Sequence, residues 1–129
     1  MAIHINIIGA GNMAYQLTQA FHNHPEVQLQ QLYNRSELSP EFNVFEIEKT
    51  HHLSTLRPAD VCIIAVKDEV IAEISQKLPF ENQLVVHTSG NTSIEAIDSK
   101  NRRGVFYPLQ TMTLPGRKFL SFSYCFYLK

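Results

Sequence analysis

The stretch that decides the fold is IHINIIGAGNMAYQLTQAF, residues 3–21. Its β-branched start, Ile3–Ile8, reads as a strand and passes directly into Gly9-Ala10-Gly11. From Asn12 the period changes: Met13, Leu17, Ala20 and Phe21 fall at i, i+4, i+7 and i+8, one face of a helix. His24-Pro25 closes that helix, because the residue before a proline avoids the helical region. Between strand and helix, residues 9–14 fit G-x-G-x-x-A. Gly9 allows the tight turn, Gly11 has no Cβ to keep a pyrophosphate from the backbone, and Ala14 lets the helix pack closely on the sheet. The helix N-terminus adds unpaired N–H groups and a positive dipole end. The pattern is weak alone, but a strand before it and a helix after it are the context a dinucleotide site requires. A plain glycine-rich turn is the alternative.

Working outward, Val27–Tyr33 reads as a second strand, with Val27, Leu29 and Tyr33 on one face and Leu32 on the other. Residues 36–58 carry no clear period. A loop opens at Ser36, Phe42 to Ile47 form a short helix or strand, and Leu53 and Leu56 sit in a brief turn. Val61–Val66 is a continuous apolar run, as expected of a strand covered on both faces. Val70, Ile71, Ile74 and Leu78 give a helix, Leu84–Val86 a strand, Ser93–Ile97 a short helix and Gly104–Tyr107 a last strand. This alternation predicts an α/β fold, a Rossmann-type doubly wound parallel sheet in three α/β/α layers. Residues 1–111 form the expected dinucleotide-binding domain. Residues 112–129 form an aromatic tail whose last eleven residues hold five of the chain's thirteen Phe and Tyr residues (eight Phe, five Tyr). Two readings of that tail stay open: a terminal strand docked on the sheet edge, or a truncated or frame-shifted start of a helical domain.

Composition sets the outer bounds. A chain of 129 residues with 44% hydrophobic content suits one globular unit. A net charge of −1 points to no nucleic-acid or membrane partner. Arg102-Arg103 and Arg117-Lys118 read as solvated loop charge. No apolar run reaches the length of a membrane span, and Ile3–Ile8 is too short for a signal peptide. Cys62 lies in an apolar run and Cys125 in the tail, which fits no disulfide framework and favours a reducing cytoplasm. Adjacent His51 and His52 would point to opposite faces of a strand, so they read as surface residues rather than metal ligands. No metal site is expected.

The end of the second strand sets the cofactor. An NAD site wants a carboxylate there for the ribose 2′-hydroxyl, but this chain has Asn34-Arg35-Ser36. A guanidinium pairs with a 2′-phosphate through charge-assisted hydrogen bonds, and Asn34 or Ser36 adds a donor. NADP is therefore expected over NAD. In an open parallel sheet, ligands bind outside the carboxyl ends of the strands. That places Ala65, Val66 and Lys67 beside the cofactor, with Asp68 either lining the site or capping the next helix. His87-Thr88-Ser89-Gly90 should face the nicotinamide end. His87 is a candidate proton-transfer group and Tyr107 a second catalytic candidate, while Ser89 and Gly90 shape the loop.

The order G-A-G-N-M-A, N-R-S, A-V-K-D resembles the cofactor domain of pyrroline-5-carboxylate reductases and of related deazaflavin-dependent NADP oxidoreductases. H-T-S-G (87–90) and G-V-F-Y-P-L-Q-T (104–111) resemble the Rossmann-like proteins joined to a helical domain catalogued as domain of unknown function 2520. The resemblance covers residues 3–111. It implies NADP on the Gly9, Ala10, Gly11, Asn12 and Met13 turn and at Asn34 and Arg35, with Ala65–Lys67 and His87–Gly90 lining the cleft. Asp68 stands where the pyrroline-5-carboxylate reductases carry proline, and Tyr107-Pro108-Leu109-Gln110 replaces their Met-Pro-Asn motif, so proline synthesis is not implied. The expected activity is reduction of a small carbonyl or imine, within a homodimer. A non-catalytic dinucleotide sensor or interaction module, or an inactive fragment, is the alternative.

Overall fold

The computed structural model describes residues 3–108 and 124–128, with backbone alone for 107–108 and 124–128. Six strands run parallel: β1 (Ile3–Ile8), β2 (Val27–Tyr33), β3 (Glu48–Thr50), β4 (Val61–Ile64), β5 (Leu84–His87) and β6 (Arg102–Pro108). A seventh, β7 (Tyr124–Leu128), pairs antiparallel with β6, and the order across the sheet is β3-β2-β1-β4-β5-β6-β7. The parallel part is the order of a doubly wound dinucleotide fold, in which the chain reverses direction across the sheet between β1 and β4. Part of the aromatic tail thus lies along the sheet edge, while the expected boundary at 111 falls outside the described residues.

The two helices cover opposite faces. Helix α1 (Asn12–His22) buries Ala14, Leu17 and Phe21 against Ile5, Ile7, Ile63 and Val86. Helix α2 (Asp68–Gln76) buries Ile71 and Ile74 against Ile8, Cys62, Ile64 and Val85. The alternation of β4 (Cys62 and Ile64 one way, Ile63 the other) fills both cores, as its apolar run predicts. Burial pushes the Cys62 thiol up to about 12, so it remains an uncharged core group. No helix among the described residues is long and apolar enough to cross a membrane.

The face reading of β2 needs correction. Leu29 and Leu32 share the α1 side of the sheet, and Tyr33 lies on the other. The cause is a bulge: Ile5 pairs with Leu29 but Asn6 pairs with Gln31, so Gln30 is an extra residue and the alternation changes phase. Its side chain closes onto the Asn6 amide oxygen (3.2 Å) and the carbonyls of Arg57 and Pro58. The segment without a clear period becomes a 3₁₀ turn (Pro40–Val44), the short edge strand β3, and a second 3₁₀ turn (Leu53–Thr55). Phe42 and Phe45 are buried here against Tyr15 of α1. Residues 93–97 contain one 3₁₀ turn, Ile94–Ala96, capped by the Ser93 hydroxyl. Arg102 and Arg103 are not loop residues; they begin β6, paired with Leu84 and Val85. Arg117-Lys118 lies outside the described residues.

β3 is tied to the sheet by Gln31, which is fully buried. Its amide nitrogen donates to Glu48 (2.8 Å) and to the Thr55 carbonyl (3.0 Å), and its oxygen accepts from the Arg57 backbone (2.8 Å). Arg57 forks onto both oxygens of Glu48 at 3.2 and 2.9 Å. That fork and the Gln31 bond hold the Glu48 carboxyl below the usual carboxylate range. Gln31→Leu keeps the volume but leaves the Arg57 N–H and the Thr55 carbonyl without this partner. Each unsatisfied group costs on the order of 1–3 kcal/mol, so a loss of about 2–3 kcal/mol is expected in urea unfolding.

Candidate cofactor site

The candidate residues converge at the carboxyl ends of the parallel strands. The β1–α1 turn lies at the switch point and packs directly on the β4–α2 turn. Gly9 has φ +126°, a region that side chains avoid, and a Cβ built there would overlap the Ala65 carbonyl oxygen and lie 2.9 Å from its carbon. The Gly9 N–H donates to the Tyr33 carbonyl at 2.8 Å, which holds the turn against β2. The fold itself requires this glycine.

Gly11 differs. It is the exposed N-cap of α1 in ordinary extended geometry, φ −85° and ψ −166°. A Cβ there would meet no atom of the described residues within 4 Å. Neither backbone strain nor packing asks for glycine at 11, so its missing side chain leaves room for something outside the protein. The first turn of α1 carries no side-chain cap and no acidic residue. The first turn of α2, by contrast, holds Asp68 and Glu69. Carboxylates complement a helix N-terminus and would repel a second anion, so α1 presents the bare positive end. Asn12 is exposed, while Ala10 and Met13 are half-buried and pack against the α1-side core. The residues present therefore fit a dinucleotide pyrophosphate.

Beyond β2, the Asn34 amide bonds to the Ser36 carbonyl (2.9 Å) and hydroxyl (3.3 Å), which folds the Asn34–Ser36 loop on itself. Arg35 at its crest is exposed and makes no ion pair or hydrogen bond among the described residues. The loop is braced from β3: the Asn34 N–H donates to the Thr50 carbonyl (3.1 Å), and the His51 ring donates from Nδ1 to the Asn34 carbonyl (2.9 Å). Sequence reasoning placed His51 on the surface, where it is, but missed this contact. β3 is too short and polar to show a period, so no local signal could bring residue 51 beside residue 34.

After β4, Ala65 is buried, Val66 half-buried and Lys67 exposed. Lys67 is the N-cap of α2, and Asp68 is the helix's first residue, making no side-chain cap bond. Asp68 acts on this helix through its charge alone.

After β5, His87 is fully buried and both ring nitrogens are engaged. Nδ1 accepts from the Ser89 N–H (3.0 Å), so the ring proton sits on Nε2, which donates to the Ser93 carbonyl (3.1 Å). The ring clamps the 87–93 loop from both ends. Within it the Ser89 hydroxyl accepts from the Asn91 N–H (3.1 Å), and Gly90 is exposed. Tyr107 lies in β6 opposite Cys125, but its side chain is outside the described part, as are residues 109–111. No group of three or more metal-ligating side chains occurs among the described residues.

The fold is shared with solved structures. Protein TM1727 from Thermotoga maritima superposes with a TM-score of 0.65 at 16% identity, covering 97% of this chain and 49% of that one. A semialdehyde dehydrogenase NAD-binding protein from Cupriavidus necator, solved with calcium and NAD, gives 0.69 at 17% identity, covering 93% and 46%. An imine reductase from a Pseudomonas species gives 0.64 at 12% identity, covering 84% and 42%. The chain thus spans about half the length of the structures it resembles. No curated protein matches it in sequence. A family model does, over residues 4–91, which include the Gly9–Ala14 turn, the Asn34–Ser36 loop and the strand ends through Gly90. The chain belongs to the family described as NADP oxidoreductase, coenzyme F420-dependent.

Proposed function

We propose that this chain is the NADP(H)-binding part of an oxidoreductase that reduces a small carbonyl or imine. The observation that carries the reading is Gly11, a glycine that neither backbone strain nor packing explains, at the bare N-terminus of α1. The pyrophosphate rests on the backbone of residues 9–14, and Arg35 holds the 2′-phosphate with Asn34 and Ser36 beside it. Ala65, Val66 and Lys67 border the dinucleotide from the neighbouring strand end, and Ser89 and Gly90 border the nicotinamide. When bound, the cofactor supplies a hydride. His87 positions the 87–93 loop through its two backbone bonds, a different task from the proton transfer its residue type first proposes. Tyr107 remains the candidate proton donor. The same reading gives a small-molecule substrate, a homodimer and a cytoplasmic setting, with no nucleic acid or membrane partner.

Calorimetric titration tests the cofactor. NADPH should bind at least tenfold tighter than NADH, and Arg35→Ala should remove most of that difference, since a charge-assisted phosphate bond contributes about 1.5–3 kcal/mol. Equal affinities in the unaltered protein would overturn the NADP reading. The commitment of both His87 nitrogens to backbone favours one second reading, a dinucleotide-binding module that does not itself turn over. NADPH binding without NADPH oxidation across a panel of small imines and carbonyls would establish it.

A further inference from the structure

Resting on the NADP reading above, we propose that His51 is a second, pH-gated contact for the cofactor's 2′-phosphate and sets the preference for NADP jointly with Arg35. The Asn34 carbonyl can only accept, so the 2.9 Å contact fixes a proton on Nδ1 of His51. That bond holds the exposed ring against the backbone of the residue directly before Arg35. The remaining nitrogen, Nε2, makes no hydrogen bond among the described residues. In the neutral ring it is an acceptor and has no proton to donate to a phosphate dianion. Once protonated it becomes a cationic donor beside Arg35, suited to a phosphate dianion. Protonation of the ring therefore turns Nε2 from an acceptor into a donor, and the contact follows the proton.

The charged and titratable groups on the two segments that meet here are few. Arg35, Glu37, Glu41 and Glu46 lie between β2 and β3, and Glu48, Lys49 and His52 lie on and after β3. Glu48 is held by Arg57 and Gln31, and the Lys49 ammonium donates to the Phe45 carbonyl. Glu41 accepts from the Ser39 hydroxyl, which leaves the side chains of Arg35, Glu37, Glu46 and His52 exposed with no ion pair or hydrogen bond among the described residues. Thr50, the residue before His51, is bound to Thr55 at 2.6 Å, and the Thr55 hydroxyl also donates to the His52 carbonyl. The segment carrying His51 is therefore braced whether or not a ligand is present.

The informative variant is His51→Asn, whose amide can keep the bond to the Asn34 carbonyl but has no group in place of Nε2. NADPH and NADH are titrated calorimetrically at about pH 6 and pH 8 into the unaltered protein, His51→Asn and Arg35→Ala. The 2′-phosphate titrates over the same range, so the comparison that counts is variant against unaltered protein at each pH. The expected result is a roughly fivefold weakening of NADPH binding by His51→Asn at pH 6 and less than twofold at pH 8. NADH, with no 2′-phosphate, should show no such pH-linked loss. Equal NADPH affinity of the two proteins at both pH values, with Arg35→Ala still weak, overturns the role of His51 and leaves the cofactor reading intact. A fivefold loss that is the same at both pH values also overturns it, since that is a loop effect. No preference for NADPH in any of the proteins overturns the cofactor reading and this inference with it. His51 is exposed, so His51→Asn is expected to melt with the unaltered protein.

Discussion

Gly9→Ala is expected to cost about 3–5 kcal/mol of folding stability. Two independent penalties add. At φ +126° an L side chain is strained, worth on the order of 1–3 kcal/mol. The new Cβ would also overlap the carbonyl of Ala65, a backbone group in the strand-end turn of β4 that cannot rotate aside. Forcing such a contact costs a further 1–3 kcal/mol or so. Set against a total stability of roughly 5–15 kcal/mol, this loss removes a large share of what keeps the chain folded. Urea unfolding monitored by circular dichroism measures it. A midpoint within about 0.3 M of the unaltered protein would mean that the β1–α1 and β4–α2 turns separate freely, contrary to the packing seen here.

Gly11→Ala should do the reverse. Its backbone is ordinary and its missing Cβ faces open space, so stability should change by less than about 1 kcal/mol, the difference between glycine and alanine at an N-cap. Cofactor binding should fall by about a hundredfold, because a methyl group then stands where the pyrophosphate meets the backbone. A displacement or overpacking cost of about 2–3 kcal/mol corresponds to that factor. Unfolding and NADPH titration on the same variant separate the two effects. Unchanged NADPH affinity would show that nothing approaches residue 11, and the case for a dinucleotide on this turn would lose its main support. Together the two alanine variants divide one sequence motif into a half required by folding and a half required by ligand.

Much of the fold was legible because each local signal agreed with the sheet. Ile3–Ile8 and Val27–Tyr33 begin and end where their β-branched and apolar runs do. The Val61–Val66 run reads as a doubly covered strand; Val61–Ile64 form one and fill both cores, while Ala65 and Val66 fall in the turn after it. The readings that failed did so where tertiary contact overrode a local rule. Leu32 sits with Leu29 because a bulge at Gln30 inserts one residue, which strict alternation cannot anticipate. Arg102-Arg103 join a strand because their backbone pairs with β5, whatever their charge. Residues 48–50 make a strand because buried Gln31 and the Glu48–Arg57 fork fasten them to β2, although three residues show no period of their own.

The site divides along the same line. The sequence alone determined the turn at Gly9–Ala14, the loop at Asn34–Ser36 and their order in a βαβ unit, because glycine spacing and strand-to-helix switches are local properties. Three matters needed the tertiary structure. It separated the two glycines, since only the neighbour at Ala65 shows that one is packed and the other open. It committed both nitrogens of His87 to the backbone at Ser89 and Ser93, which residue type could not foretell. And it set His51 on the carbonyl of Asn34, seventeen residues away in sequence, because β3 returns beside β2. A residue's chemistry is written in the chain, but the groups that complete or occupy it arrive from elsewhere in the fold.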